Sequence, residues 1–432
     1  MSALSMENLT KVPDDPEALE RRVGLLRLVI GIVLGLGVAK LTGNLGTVVV
    51  VAAVLLMIVL HEAGHLVAAK LSGMRVTEFF VFFGPRLWSV RKGETEYGLK
   101  TLPLGGYCKI PGMTNLEEVE PEDEDRSYRQ QSFPRRFAVG VAGSATHFVL
   151  AFLILVLLNG PIGLVRYDKP AMQVGEITAL ATGPSPAQAA GFRVGDKILT
   201  VDGQRFDNWD DLPVYIRARP GREIIFEIER KGERLRLLPV TVDLREVNVP
   251  GRDSGAAVKE PTGFLGIGPA FPVQRKGPVG AVTSSVGQLG SMTKLTVGTL
   301  GRLFSVGGVR DYKNMLFEKG PAVPSEDQPR FLSPVGLVRV ASEVSENGVR
   351  DVLTLLLGIN IFVGLFNMVP LLPLDGGHVA IAIYERLRSR NGRRYHADVA
   401  KLMPAFYLML LVLAFLGISS LYLDIVRPLN LQ

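Results

Sequence analysis

Residues 47–70 read TVVVVAAVLLMIVLHEAGHLVAAK, an apolar run that closes on His61-Glu62-Ala63-Gly64-His65. No charge interrupts residues 47–60, and a helix of this kind suits ~30 Å of hydrocarbon better than it suits water. At helical spacing the two imidazoles, at i and i+4, share one face. Glu62 stands beside the first of them. Paired histidines in this pattern bind zinc, and the neighbouring carboxylate serves as a general base. Ionisable groups inside a membrane are costly and are kept for a function, so the position of this motif is as informative as its letters.

The remainder of the chain has the composition of a membrane protein with soluble attachments. Of 432 residues, 47% are hydrophobic and 21% charged, and the charges cluster between apolar stretches. Besides 47–70, the segments 137–160, 351–375 and 403–425 are each long enough to cross a bilayer as helices. Residues 23–39 form a shorter candidate interrupted by Arg27, read either as an extra N-terminal span or as an interfacial helix. The first 22 residues are long and mostly acidic for a leader, with no small-residue cleavage site after them, so a cleaved signal peptide is not expected.

Basic residues fix the expected orientation. Arg386, Arg388, Arg390, Arg393, Arg394 and Lys401 lie in the 376–402 loop, and Arg135 and Arg136 precede the second strong span. The positive-inside rule places both in the cytoplasm. The motif end of the first strong span is then near the cytoplasmic face of the inner (plasma) membrane, and the region around 161–350 lies outside. The net charge of +6 is thus a topology signal, and no aromatic-interleaved basic patch points to nucleic acid. A single Cys108 excludes an intramolecular disulfide and reads as a small apolar residue.

Between the spans lie several soluble pieces. Residues 71–136 begin with short alternating runs (VTEFFVFFG, LWSVRKG, TEYGLKTL, GGYCKI) broken by Gly84-Pro85, Lys92-Gly93 and Gly105-Gly106. This predicts a β-meander against the membrane surface, followed by an acidic solvated loop. Residues 171–245 read as a compact α+β domain. Residues 246–350 read as a Gly/Pro-rich linker with an amphipathic helix at 278–304 and an irregular loop at 321–330. The fold class expected is therefore a polytopic α-helical membrane protein: four spans, an extra N-terminal membrane segment within residues 1–46, a membrane-associated β-meander and an inserted α+β domain.

Zinc in a catalytic site normally takes three protein ligands. The run Asn367-Met-Val-Pro370-Leu-Leu-Pro373-Leu-Asp375-Gly376-Gly377-His378 offers the third. A carboxylate at the end of an apolar span needs a partner, and two Pro and two Gly break the helix around it. Taken alone, Asp375 could simply face the cytoplasm at a helix-terminal turn. Beside an antiparallel HEAGH span ending on the same side, His61, His65 and Asp375 form the expected zinc set. His378 and His147 are read as structural or as neighbours of the site, and His396 as a surface residue.

With these motifs in hand, the chain resembles the site-2 proteases, intramembrane zinc metalloproteases, and among them the bacterial type with an extracytoplasmic PDZ domain. HEAGH is similar to the family's HExxH and LDGG to its third-ligand motif. FFGPRLWSVRKGETEYGLKTLPLGGYCKIPGM resembles the membrane-associated β-region, and PSPAQAAGFRVGDKILTVDGQRFDNWDDL the PDZ core. The likeness covers most of residues 47–425. It departs at Gly143-Ser-Ala-Thr-His147, where many members carry Asn in place of the His, and in the additional N-terminal segment.

The resemblance implies that His61, His65 and Asp375 hold Zn2+, that Glu62 is the base, and that Asn367 and Pro370 contact an unwound substrate helix. It further implies a role in regulated intramembrane proteolysis: the second cut of single-pass membrane proteins such as anti-sigma factors, already shortened by a site-1 protease. The PDZ domain would bind a freshly exposed C-terminus or act as a size filter, and Gly263–Ile267 would form a carboxylate loop or an ordinary strand. Two rival classes are a membrane-anchored zinc peptidase of soluble type and a non-catalytic PDZ scaffold. The first needs its motif in a hydrophilic domain; the second needs no ligand triad.

Overall fold

The computed structural model describes residues 24, 26, 30, 31, 33, 35–41, 43–113, 117–178, 183–250, 257–317, 331–389 and 394–426. The expectations for residues 1–22 and for the 321–330 loop lie outside them. In segment 23–39 the described residues are helical. Two compact units emerge: residues 1–158 with 279–432, and residues 159–278.

The first unit contains α1 (Leu45–Leu71), a hairpin of β1 (Glu78–Lys92) and β2 (Thr95–Lys109), and α2 (Phe133–Leu157). It continues with α3 (Pro278–Leu303), α4 (Val306–Phe317), α5 (Pro334–Glu346), α6 (Val349–Phe366), α7 (Asp375–Arg388) and α8 (Met403–Val426). Among the described residues, four stretches are long and apolar enough to cross a membrane: Leu45–Leu71, Phe133–Ile162, Val349–Phe366 and Val399–Val426. These are the four strong spans read from the sequence. Their apolar side chains remain largely exposed, as at Leu408, Leu411 and Ile418 of α8, which suits helices solvated by lipid rather than water.

Small residues let the spans approach closely. A Cβ on Gly64 would lie 2.5 Å from Thr146 Oγ1 and 2.8 Å from the Ala142 carbonyl, so α1 and α2 meet at backbone distance beside the histidines. α2 packs in turn on α6 and α7, and α1 on α5 and β2. At its far end α1 stops where Gly73 adopts φ +76 and Met74 N–H returns to the Ala69 carbonyl at 3.0 Å, a left-handed C-terminal turn.

The β-region is not a meander. β1 and β2 form one long antiparallel hairpin around the Lys92/Thr95 turn. The hairpin folds over on itself, so that Glu78–Val81 pair with Gly106–Lys109 on one side and lie beside Glu96–Leu99 on the other. Gly84 (φ +86) and Phe82 (φ +72) make the bend. Both strands of the hairpin thus reverse direction, near Gly84-Pro85 and near Gly105-Gly106, where the sequence breaks the runs; it is the order of pairing that departs from a meander. Gly106–Lys109 is left as an edge, because among the described residues no strand pairs with its other side.

Two further expectations need correction. The helix expected to run to residue 375 stops at Phe366. Pro370 and Pro373 cannot continue it, and the chain turns back so that Gly376 N–H reaches the Asn367 carbonyl at 2.7 Å. Asp375 instead opens α7. The basic segment 376–402, expected as a loop, is helical through Arg388. Arg136, counted as a topology signal, is buried and paired with buried Glu385. That ion pair ties the start of α2 to α7, and Glu385 also accepts the Ala397 N–H at 2.7 Å.

The second unit holds a five-stranded sheet of β3 (Ala171–Ile177), β4 (Lys197–Val201), β5 (Phe226–Arg230), β6 (Glu233–Arg236) and β7 (Ile267–Ala270), in the order β7-β3-β4-β5-β6. Its core gathers Val174, Phe192, Val201, Leu212, Phe226, Ile228 and Leu265. The domain expected to close at residue 245 is thus completed by Leu265 and β7 from the segment read as linker. Ser185 and Gln188 form a capping box on the short helix Pro186–Ala189. Gly263–Ile267 runs from the end of one strand, through Gly266 at φ +89, into the next.

Buried Asp196 is gripped by Arg230 through two 2.7 Å hydrogen bonds and by the Arg193 N–H at 2.8 Å. Burial pushes its carboxyl up, but the Arg230 guanidinium and the Arg193 amide outweigh this and hold it below the usual range. The stabilisation is therefore complete above the unfolded value of about 3.9 and is lost as pH falls through the native one. Asp196→Asn is expected to destabilise this domain by about 2–4 kcal/mol at neutral pH. Hydrogen exchange of residues 171–270 in the full-length protein should show the wild-type advantage at pH 7 and its erosion below pH ~4; equal protection at pH 7 would contradict it.

Candidate metal centre

Three side chains far apart in sequence converge where α1, α2 and α7 meet. His61 Nε2 lies 3.3 Å from His65 Nε2, and each is 3.2 Å from Asp375 Oδ2. The helical i, i+4 spacing brings the two imidazoles together. The 367–374 turn brings the carboxylate, which sits in the first turn of α7.

Two observations bear on what this triangle can hold. His65 Nδ1 lies 2.8 Å from the Val139 carbonyl; a carbonyl only accepts, so Nδ1 carries the proton and the neutral ring leaves a lone pair on Nε2. That lone pair faces a carboxylate oxygen and a second imidazole nitrogen, an arrangement that favours a cation among the three. The edges of 3.2, 3.2 and 3.3 Å also match the ~3.3 Å ligand–ligand separation of a tetrahedral site with zinc–ligand bonds near 2.0–2.1 Å. Two imidazoles and one carboxylate are a donor set that suits zinc, and they leave one position of a tetrahedron open.

Glu62 follows His61 on α1 and faces β2. An ideal Cβ on Gly106 would lie 3.1 Å from Glu62 Cγ. The strand edge and the acid are thus neighbours. Burial, with a contribution from the Glu62 charge, pushes the Cys108 thiol up to about 12, so it stays protonated and acts as a small buried group.

His147 is not among the three converging donors. Its ring lies 5.1 Å from that of His61, and Nδ1 is 2.9 Å from Asn360 Oδ1. Asn360 donates to the Leu356 carbonyl at 2.8 Å and approaches Met57 Sδ at 3.3 Å, which turns its oxygen toward His147 and makes His147 Nδ1 the donor. His378 sets its ring edge-on to Tyr128 at 6.5 Å. Asn367 caps the end of α6, and its carbonyl anchors the turn before Asp375. Pro370 stands within that turn.

Sequence reasoning missed Asn360 and the importance of Gly143. A lone Asn in an apolar span is itself a signal, since a buried amide must find partners. Gly143 gave none, because its role appears only across the helix interface. A Cβ there would lie 2.4 Å from His65 Nε2 and 2.6 Å from His61 Nε2.

The class defined by fold and site is a multi-pass membrane protein with a helix-borne histidine pair and a distant carboxylate. Residues 49–411 match the model of peptidase family M50, and the chain belongs to that family, the site-2 proteases, which are membrane-embedded zinc metalloproteases. It is 31% identical over 420 residues to zinc metalloprotease Rip1 of Mycobacterium tuberculosis, covering 89% of this chain and 98% of the relative. Rip1 of Mycolicibacterium smegmatis is 32% identical over 415 residues, with 90% and 99% covered. Zinc metalloprotease RasP of Geobacillus kaustophilus is 25% identical over 431 residues, with 83% and 93% covered.

Because a methyl group at position 143 would occupy the space beside both Nε2 atoms, Gly143→Ala is expected to weaken zinc retention by about 10–100-fold with helix content unchanged. Metal analysis of the purified protein checks this. Full zinc occupancy in the variant would contradict the packing described.

Proposed function

We propose that this chain is a zinc metalloendopeptidase that cleaves single-pass membrane proteins within the bilayer, as the second cut of regulated intramembrane proteolysis. The observation that carries the reading is the 3.2–3.3 Å triangle of His61, His65 and Asp375 donor atoms set among membrane-spanning helices. A peptidase of soluble type would carry its motif in a hydrophilic domain, and a scaffold would have no reason to gather these donors. Anti-sigma factors previously trimmed by a site-1 protease are the substrate class that the family resemblance favours.

His61, His65 and Asp375 would hold the zinc. When bound, zinc supplies Lewis-acid polarisation of the scissile carbonyl and lowers the pKa of water toward neutrality. Glu62 takes the proton of the attacking water and returns it to the leaving amine. A substrate helix shields its own carbonyls, so it must be unwound and held extended. The unpaired Gly106–Lys109 edge beside Glu62 is placed to do this by strand addition. Asn367 and Pro370, in the turn that delivers Asp375, would contact the extended segment from the other side.

Arg135 in the first turn of α2 and the basic residues of α7 and the segment after it favour a site near the cytoplasmic face of the inner membrane. The α+β unit, read as a PDZ domain, then lies outside and excludes substrates whose outer domain is intact.

Zinc content separates the roles. Glu62→Gln should keep zinc and lose about 10²–10⁴-fold in cleavage of a model transmembrane substrate in detergent, whereas Asp375→Ala should lose both. Normal turnover by either would sink the assignment. Asn367→Ala should slow cleavage with zinc unchanged, and unaltered kinetics would remove Asn367 from the substrate site.

A further inference from the structure

A cavity lies on the face of α7 turned toward the start of α8. It measures about 330 Å³, within the size range of ligand sites. Leu372, Ala380, Ile381, Tyr384, Ala405 and Phe406 supply much of its apolar wall. The wall is built rather than incidental. Ala397 is fastened to buried Glu385 at 2.7 Å, and the Tyr395 N–H to Ser389 Oγ at 3.0 Å. Glu385 is in turn paired with Arg136 of α2.

Charge gathers at its rim. The Arg388 guanidinium lies over the rings of Tyr384 and Tyr395, 5.8 and 5.1 Å from their centroids, and both rings line the cavity. Among the described residues, Arg388 has no acidic partner. Lys401 is exposed and stands 3.4 Å from Asp398, the one carboxylate lining the cavity. Asp398 also accepts the Ala400 N–H at 3.2 Å; against its single negative charge stand the positive charges of Lys401 and Arg388, so the rim is net positive. Residues 399–406 are also where the last apolar span begins, which is the level of lipid headgroups.

We propose that this cavity seats an acyl chain of an anionic phospholipid, with the lipid phosphate held by Arg388 and Lys401. An apolar pocket at headgroup depth with a cationic rim matches the two chemistries of that amphiphile. The cavity wall includes Pro370, Leu371, Leu372 and Gly377, which flank Asp375 on both sides in sequence. A seated chain therefore braces the turn that presents this carboxylate to the histidines. The inference rests on the chain being embedded in a membrane and is independent of its protease activity.

Native mass spectrometry of delipidated full-length protein, titrated with phosphatidylglycerol or phosphatidylcholine, tests it without any substrate. One phosphatidylglycerol per chain should be retained in preference to phosphatidylcholine. Arg388→Gln and Lys401→Gln should each reduce that preference about fivefold, the effect of one basic residue on anionic lipid. Ala405→Trp, which fills the cavity, should abolish retention of both lipids while zinc content stays unchanged. Undiminished retention in Ala405→Trp, or a preference untouched by the two charge variants, would overturn the proposal. So would an adduct displaced by a transmembrane substrate peptide in wild type but insensitive to the cavity variants.

Discussion

The constraint on which the rest of this structure depends is electrostatic: three electron-donating atoms are held within 3.3 Å of one another among apolar helices. Lone pairs crowded in this way repel unless a cation joins them, and moving charge out of water is expensive. The fold meets that demand by rigidity. Gly64 draws α2 onto α1, Gly143 leaves room beside the imidazoles, and the Val139 carbonyl fixes the His65 tautomer. The broken segment 367–374 delivers Asp375 from a helix of its own, so the carboxylate is aimed by a turn rather than by the end of a span.

The buried Arg136–Glu385 pair belongs to the same design. It joins α2, which backs the histidines, to α7, which carries Asp375. Such pairs contribute little net stability, because desolvation offsets their attraction. Their separation, however, leaves an uncompensated buried charge. The pair therefore acts as a register pin, keeping the two halves of the site aligned although 310 residues separate His65 from Asp375. The pin continues through Ala397, which Glu385 holds, into the wall of the cavity beside α7.

Much of this was legible in the chain itself. Period-3.6 spacing places His61 and His65 on one face, and long charge-free runs define four spans; both are local properties. The Asp375 motif was legible because a carboxylate near an apolar segment demands a partner. Other features are visible only in three dimensions. The β-region runs and their breaks were readable by alternation, but not their pairing, because which run lies beside which is decided by how the long hairpin folds over on itself. The helix ending at Phe366 was over-extended, since hydropathy continues through prolines that the backbone cannot accommodate. The second unit's last strand was hidden in a Gly/Pro-rich stretch whose pairing partner, β3, lies some 90 residues earlier.

The central claim is that two histidines and one carboxylate form the protein's metal site. X-ray absorption at the zinc edge of the purified full-length protein tests it most directly. Two imidazole ligands per zinc are expected, with the remaining scattering from oxygen near 2.0 Å and loss of one imidazole shell in His65→Ala. A signal from three imidazoles would instead bring His147 into the coordination sphere and contradict the arrangement described.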